Sequence, residues 1–522
     1  MSTASTARRL LLALALAAAA ILGALSTAGD ASAQDTAPPN VVMVMTDDQT
    51  LESMRRETMP KTTKLVVRPG TNFQQAIATT PLCCPSRATF LTGQYAHNHG
   101  VLENDYGLLV DETSTLPVWL QAVGYRTIHV GKWMNRYKKS RGPNTVAPGW
   151  DQWHSALERY SFYDYVLRIN GKRKSYGDKP DDYLTRVINE IAVKQVRKAA
   201  GAQPFFLQVD QYAPHIAPGD NKRCDGAAVP DPRDYDRFRD VSLPEPPNFN
   251  EADVSDKPSF IQRLRPLKRK KIRDLERRYG CALASLRGVD RGVAELFKTL
   301  ERSGELDETV FIFVSDNGFY YGEHRIPDAK QNPYEEALRI PLAIRVPPPL
   351  LGGVEQRGSV GELVGNIDIV PTILDFAGAN PCTAEGACRT LDGRSLVPYM
   401  TGDTSAIPND RSFAVELQRI ALNAPVLGGR ACSYSGVRTP NRLYVHHTEA
   451  LNPRTRACEP VDDTELYDLQ ADPFQLQSRH GAAPGSPDAI EEASLAQRSA
   501  DLSDCAGIEG RDPLPPSGHW CE

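Results

Sequence analysis

The 522 residues leave room for two or three ordinary domains, or for one large α/β body with an appendage. Charged residues make up 24% and hydrophobic ones 41%, with 38 glycines and 40 prolines, which excludes a disordered polyelectrolyte, a collagen and a multi-span membrane protein. Lys and Arg number 60 against 65 Asp and Glu, a net charge of -5; nucleic-acid binding needs a basic surplus, so no nucleic-acid partner is expected.

Arg8 and Arg9 precede an apolar run from Leu10 to Leu25, and Ala31-Ser32-Ala33 has the small-residue pattern of a signal-peptidase site. Residues 1–33 therefore read as a secretory leader cleaved near Ala33. The run is 16 residues long, short of the roughly 20 that span a bilayer, so no stable membrane insertion is expected. The mature chain is expected to be secreted or extracytoplasmic, where its ten cysteines can persist as disulfides.

Val41-Val42-Met43-Val44-Met45 is a short continuous apolar run, as in a strand buried on both faces of a parallel sheet. Similar runs follow at Tyr125–Val130, Pro204–Val209, Thr309–Val314 and Pro341–Val346, with helix-like patterns at Asp182–Ala200 and Leu275–Leu300. The alternation predicts an α/β fold with a mostly parallel sheet covered by helices. Asp220–Pro266, rich in Pro, Asp and Asn, reads as a long surface excursion. Arg263–Arg278 carries nine basic and two acidic residues, either a solvated helix face or a patch for a polyanionic substrate. Pro347-Pro348-Pro349 and Gly352-Gly353 mark a break, and Ile367–Phe376 reads as a helix interrupted by Pro371. Shorter strands and turns are expected beyond about residue 380, with six of the ten cysteines. The division is a leader over 1–33, a main α/β domain over 34–380 and a smaller C-terminal subdomain over 381–522.

Ligands of open α/β sheets bind beyond the carboxyl ends of the strands. The first apolar run is followed by Asp47-Asp48, the second by Gly131-Lys132, the third by Asp210 and then His215, and the fourth by Asp316-Asn317-Gly318. Taken singly, Asp47-Asp48 could cap a helix and Asp316-Asn317-Gly318 could form a hairpin turn. Together their hard oxygens suit one divalent cation of the Mg²⁺ or Ca²⁺ type better than zinc, since no cysteine or histidine adjoins them. Pro85, two residues after Cys83, and the helix-like stretch behind it place Cys83 at a helix N-terminus, where backbone N–H groups favour an anion, with Arg87 one turn inward. Cys83 could otherwise be a structural thiol, half of a disulfide or a thiolate nucleophile.

The segment Pro81-Leu82-Cys83-Cys84-Pro85-Ser86-Arg87-Ala88-Thr89-Phe90-Leu91-Thr92-Gly93 resembles the signature of the type I sulfatases of the alkaline phosphatase superfamily. Gly124-Tyr125-Arg126-Thr127 through Gly131-Lys132-Trp133 resembles the second signature. Ser315-Asp316-Asn317-Gly318 with Lys330, Asp368-Ile369-Val370-Pro371-Thr372, and Glu465-Leu466-Tyr467-Asp468-Leu469 with Asp472-Pro473 come in the family's order. Together with the Cys83–Arg87 signature, His97-Asn98-His99-Gly100 and Gly131-Lys132-Trp133-Met134-Asn135 are most similar to the N-acetylglucosamine-6-sulfatase branch.

The resemblance implies an alkaline-phosphatase-like sheet with an antiparallel sheet in the C-terminal subdomain. It also implies hydrolysis of a sulfate ester, such as N-acetylglucosamine 6-sulfate or an aryl sulfate. Cys83, not Cys84, would be oxidised to formylglycine by a formylglycine-generating enzyme. Asp47, Asp48, Asp316, Asn317 and the modified Cys83 would hold calcium, with magnesium as the alternative. One hydroxyl of the hydrated aldehyde would attack sulfur while Arg87, Lys132 and Lys330 stabilise charge; His215 would protonate the leaving alcohol, and the second hydroxyl would expel sulfate. Many sulfatases carry a histidine two residues after the signature lysine; here Met134 stands there, leaving His97 or His99 as candidates for the base of that last step. A phosphatase or phosphonate monoester hydrolase of the same superfamily is the alternative within enzymes, and an inactive binder of sulfated glycans is the alternative outside them. With Cys83 consumed and Cys84 too constrained to pair with it, eight cysteines remain. Proximity suggests Cys382–Cys388, Cys432–Cys458 and Cys505–Cys521, with Cys224–Cys281 as the remainder.

Overall fold

The first apolar run becomes the second of five consecutive parallel strands. The computed structural model describes residues 38–157, 161–217, 223–224, 226–405, 407–408, 410–418 and 429–522; the expected leader lies outside them. The larger sheet contains β1 (Asn40–Thr46), β2 (Thr71–Ile77), β3 (Arg126–Lys132), β4 (Gln152–Ala156), β5 (Val166–Ile169), β6 (Lys172–Ser175), β7 (Phe205–Asp210), β8 (Thr309–Ser315), β9 (Leu342–Arg345) and β10 (Ser359–Gly365). Its order is β10-β2-β9-β8-β1-β7-β3-β4-β5-β6. The run β8-β1-β7-β3-β4 is parallel throughout, whereas β9 and β5 run against their neighbours. The sheet is framed by α1 (Cys83–Thr92), α2 (Leu184–Ala199), α3 (Arg269–Arg302) and α4 (Ile369–Ala377), and α5 (Pro487–Leu502) lies against a second sheet.

Alternation along β1 explains the layering. Val41, Met43 and Met45 pack in one layer with Ala88 and Leu91 of α1 and Val370 and Ile373 of α4. Val42 and Val44 pack in the other with Val187 and Ile188 of α2 and Val289 and Val293 of α3. Each fully buried side chain of this kind contributes about 1.5–3 kcal/mol. All seven β1 residues are buried and its interior is apolar, so the first charged groups of this segment come just past its carboxyl end, at Asp47 and Asp48.

The five apolar runs all form strands, but Pro341–Val346 becomes the antiparallel β9. Pro371 does not interrupt a helix: it is the third residue of α4, in the first turn, where its missing N–H forfeits no intrahelical bond. The stretch expected to be a surface excursion is partly interior, since Leu243, Asn248, Val254, Phe260 and Ile261 are buried. The basic run forms the start of α3 with exposed Lys268, Arg269, Lys270 and Arg273, while Lys271 and Arg278 pair with Asp328.

The second sheet is antiparallel in the order β11-β12-β13-β14, from β11 (Phe413–Leu417), β12 (Ala431–Arg438), β13 (Arg442–Asn452) and β14 (Ala457–Asp468). Its strands are not shorter than the others: β13 has 11 residues and β14 has 12. Hairpin partners satisfy each other's backbone groups, so such strands can run on into solvent. The four disulfides join Cys224–Cys281, Cys382–Cys388, Cys432–Cys458 and Cys505–Cys521 as expected. Cys83 and Cys84 are the free cysteines among the described residues. Pro39–Glu522 forms one compact unit. Among the described residues no helix is long and apolar enough to cross a membrane.

Candidate functional site

The parallel strands deliver the polar residues at their carboxyl ends to one edge. Asp47 and Asp48 follow β1, Asp316 and Asn317 follow β8, Lys132 ends β3, and Asp210 ends β7 a few residues before His215. β2 leads through Leu82 into α1, whose first residue is Cys83. Gly131 sits at φ 118°, and a Cβ there would lie 1.9 Å from the Asp210 carbonyl oxygen, so glycine lets β3 bring Lys132 against β7. Gly318 is not a hairpin glycine: a Cβ there would meet the Glu336 carbonyl oxygen at 2.0 Å, and its N–H donates to the Ala337 carbonyl.

Cys83 is 2% exposed. Its Sγ lies 2.7 Å from Lys330 Nζ, 3.5 Å from Lys132 Nζ and 3.6 Å from Asp47 Oδ1. Lys132 donates to Asp47 and Lys330 to Asp48. The Arg87 guanidinium approaches Asp316 at 2.9 Å, Asp210 at 3.5 Å and Asp47 at 3.7 Å. Removing one partner of a buried pair of this kind typically costs about 3–5 kcal/mol. Ser86 donates to the Asp316 carbonyl at 2.5 Å and accepts from Asn366 at 3.1 Å, tying the start of α1 to the end of β8.

His215 Nδ1 lies 2.6 Å from the Ile216 carbonyl, which must accept, so Nδ1 carries a proton. Nε2 then faces Asp48 Oδ2 at 3.6 Å. Ligand atoms of Asp47, Asp48, Cys83 and His215 lie within 4.8 Å of one another, a group that could hold a metal ion. Asn317 donates to Asp48 Oδ1 at 2.7 Å, and the Asp48 amide donates to Asp316 Oδ1 at 3.1 Å. Asp48 Oδ2 and Asn317 Oδ1 are buried with no hydrogen-bond partner among the described residues, and such hard oxygens beside Asp47 fit a divalent cation.

Burial alone would raise the Asp47 carboxyl, but Lys132, His215, Arg87 and Lys330 hold it well below the usual carboxylate range. Burial and the Asp47 charge push Asp316 up to about 7 against Arg87. Burial lowers His215 against the pull of Asp47 and Asp48. Burial pushes the Cys83 thiol up to about 11 despite the two lysines.

The sulfatase model matches residues 39–379, most of the chain and all of this site. The chain belongs to the sulfatase family. It is a sulfuric ester hydrolase. The sulfatase is 30% identical over 526 residues to the N-acetylglucosamine-6-sulfatase of Capra hircus, covering 94% of this chain and 88% of that one. It is 33% identical over 368 residues to the putative extracellular sulfatase Sulf-1 homolog of Caenorhabditis elegans, covering 69% of this chain and 48% of that protein, so it spans about half of that relative's length. The fold is shared with BT4656, solved in complex with its substrate D-glucosamine-2-N,6-O-disulfate, at a TM-score of 0.67 and 23% identity over 89% of this chain and 97% of that one.

Neither histidine put forward as the last base reaches the cluster. His99 is fully buried, with Nδ1 accepting from the Val101 amide and Nε2 beside the Thr89 hydroxyl. Burial pushes it down to about 3. His97 donates to Glu416 at 2.9 Å and to the Cys505 carbonyl at 3.0 Å, clasping the C-terminal loop. Burial opposes its charge, but Glu416 raises it to about 9. An imidazole raised from 6.5 to about 9 on folding stabilises the protein fully below pH 6.5 and loses that contribution as pH rises through 9. His97→Gln is therefore expected to lower stability by roughly 3 kcal/mol near pH 6, with the gap to wild type narrowing above pH 9. Thermal unfolding at both pH values checks this; a gap independent of pH contradicts it.

Asp210 has no role assigned from sequence, although it ends a strand at the same edge. Asn104, whose Oδ1 accepts from the Cys84 amide at 2.9 Å, is brought in by a loop and Asn366 by the turn of helix that directly follows β10; neither was singled out from sequence.

Proposed function

We propose that this sulfatase hydrolyses the sulfate ester of a sulfated carbohydrate, of the N-acetylglucosamine 6-sulfate type, using formylglycine made from Cys83. The convergence of Lys132 and Lys330 on Cys83 at the head of α1, beside the acids that follow β1, carries the reading. Similarity to an N-acetylglucosamine-6-sulfatase supports the sugar. The expected leader and similarity to a putative extracellular sulfatase support secretion. Cys83 is 2% exposed, so a formylglycine-generating enzyme has to reach it before α1 packs.

Asp47, Asp48, Asp316 and Asn317 would hold a calcium ion, with magnesium as the alternative. Formylglycine as its hydrate supplies a nucleophilic hydroxyl and a second hydroxyl for release of sulfate, and the cation supplies charge that favours ionised oxygen beside it. Lys132, Lys330 and Arg87 hold positive charge where sulfuryl oxygens gather, fixed in advance by Asp47, Asp48, Asp210 and Asp316. With Nδ1–H held by the Ile216 carbonyl, His215 as the imidazolium delivers its second proton from Nε2 to the leaving oxygen.

A sugar alkoxide needs that proton and a nitrophenolate hardly does. His215→Ala is expected to lower kcat on N-acetylglucosamine 6-sulfate by about 10²–10⁴-fold but on 4-nitrophenyl sulfate by less than about tenfold. Equal losses on both contradict the role of His215. Turnover of 4-nitrophenyl phosphate above that of 4-nitrophenyl sulfate would turn the assignment toward a phosphatase. Binding of sulfated sugars without any hydrolysis would turn it toward a binding protein.

A further inference from the structure

Behind Arg87 lie a buried acid that helps to fix it and, against that acid, a buried histidine that the chemistry above leaves without a role. Asp210 is 1% exposed and His129, on the neighbouring β3, is fully buried. His129 Nε2 lies 2.9 Å from Asp210 Oδ2. A carboxylate only accepts, so Nε2 carries the proton, and Nδ1 faces the Ser155 hydroxyl. The same Oδ2 accepts from Gln208 Nε2 at 2.9 Å and lies 3.5 Å from Arg87 Nη1. Asp210 Oδ1 has no partner among the described residues. Three donors thus converge on one oxygen.

That convergence answers an electrostatic need. Arg87 is shared with Asp316 at 2.9 Å and Asp47 at 3.7 Å, so it alone does not compensate a third buried carboxylate. His129 and Gln208 add donors to the Asp210 carboxylate and fix which oxygen faces Arg87. The ring of His129 cannot turn away: Trp133, Trp153 and Trp150 enclose it at ring-centroid distances of 4.8, 5.0 and 5.4 Å. A phenyl ring would fill the same cage but donate nothing.

We infer that His129 and Asp210 are positioning residues for Arg87: the His129 N–H bond to Asp210, rather than the packing of its ring, sets the guanidinium that faces the sulfuryl group. Asp210 anchors Arg87 from behind while Asp47 and Asp316 hold it from the side of Cys83. The inference rests on the assignment of Arg87 proposed above. Misplacing one group by about 1 Å commonly lowers a rate about 10²-fold, which sets the scale.

The test uses the full, modified chain and separate kcat and KM values for 4-nitrophenyl sulfate. His129→Phe is expected to keep the thermal midpoint and KM while kcat falls about 10–100-fold. His129→Gln, which keeps an N–H donor, is expected to recover most of that loss, and Asp210→Asn to lower kcat with KM nearly unchanged. A purely structural role gives the opposite ranking, with Phe tolerated and Gln damaging. A His129→Phe variant with undiminished kcat, or a Gln variant no more active than the Phe variant, overturns the inference while leaving the sulfatase reading intact. If Phe does not fold, Asp210→Asn decides by itself: undiminished kcat overturns the inference. Undiminished kcat in Arg87→Ala overturns the assignment of Arg87 and this inference with it.

Discussion

Cys83→Ala is expected to release no sulfate above the uncatalysed rate, a fall in kcat of at least about 10⁴-fold, read as free sulfate or free phenol. No neighbour can take over. Cys84 Sγ accepts from the Asn135 amide at 3.1 Å, and the Cys84 amide donates to Asn104 at 2.9 Å. An unmodified thiol would not serve either: burial pushes Cys83 up to about 11, so at neutral pH it is protonated and weakly nucleophilic. Cys83→Ser separates attack from release. A single hydroxyl can take up the sulfuryl group but has no second hydroxyl to expel it, so this variant is expected to perform about one turnover and stay about 80 Da heavier by mass spectrometry. Continued turnover by either variant would remove Cys83 from the chemistry.

Exhaustive chelation is expected to lower turnover by at least about 10³-fold, with recovery on adding Ca²⁺ or Mg²⁺. The cause is electrostatic. Asp47, Asp48 and Asp316 are buried together, Lys132 pairing with Asp47, Lys330 with Asp48 and Arg87 with Asp316. Asp48 Oδ2 and Asn317 Oδ1 have no hydrogen-bond donor among the described residues. Binding of the cation to the folded protein alone stabilises it by about 2.7 kcal/mol at a hundredfold excess over Kd. Added Ca²⁺ should therefore raise the melting temperature of the wild type but not of an Asp48→Asn, Asp316→Asn double variant. Turnover unaffected by chelation contradicts the metal assignment.

The parts of the fold that were legible in the sequence are those buried on both faces. β1 and β8 announce themselves as continuous apolar runs because no side of them meets water; β7, FFLQVD, and β3, RTIHVGK, are as buried but carry polar residues among the apolar ones. β6, with all four residues exposed, and β2, with the sequence TNFQQAI, carry no such signal; pairing with a neighbour makes them strands. The acids and the lysine of the candidate site were legible by one rule, that ligands gather beyond the carboxyl ends of parallel strands. Sequence proximity misled at His97 and His99: they come soon after α1, but the short helix Ala96–His99 turns one toward the C-terminal loop and the other into the interior. The contact of His129 with Asp210 was illegible, because 81 residues separate them and only the pairing of β3 with β7 joins them.

The most direct test is the mass of the proteolytic peptide containing residue 83, from protein made together with a formylglycine-generating enzyme. The proposed chemistry predicts a peptide lighter than the cysteine form by about 18 Da, from exchange of sulfur for oxygen with loss of two hydrogens, in proportion to specific activity across preparations. Full sulfatase activity in protein whose Cys83 is intact would contradict it.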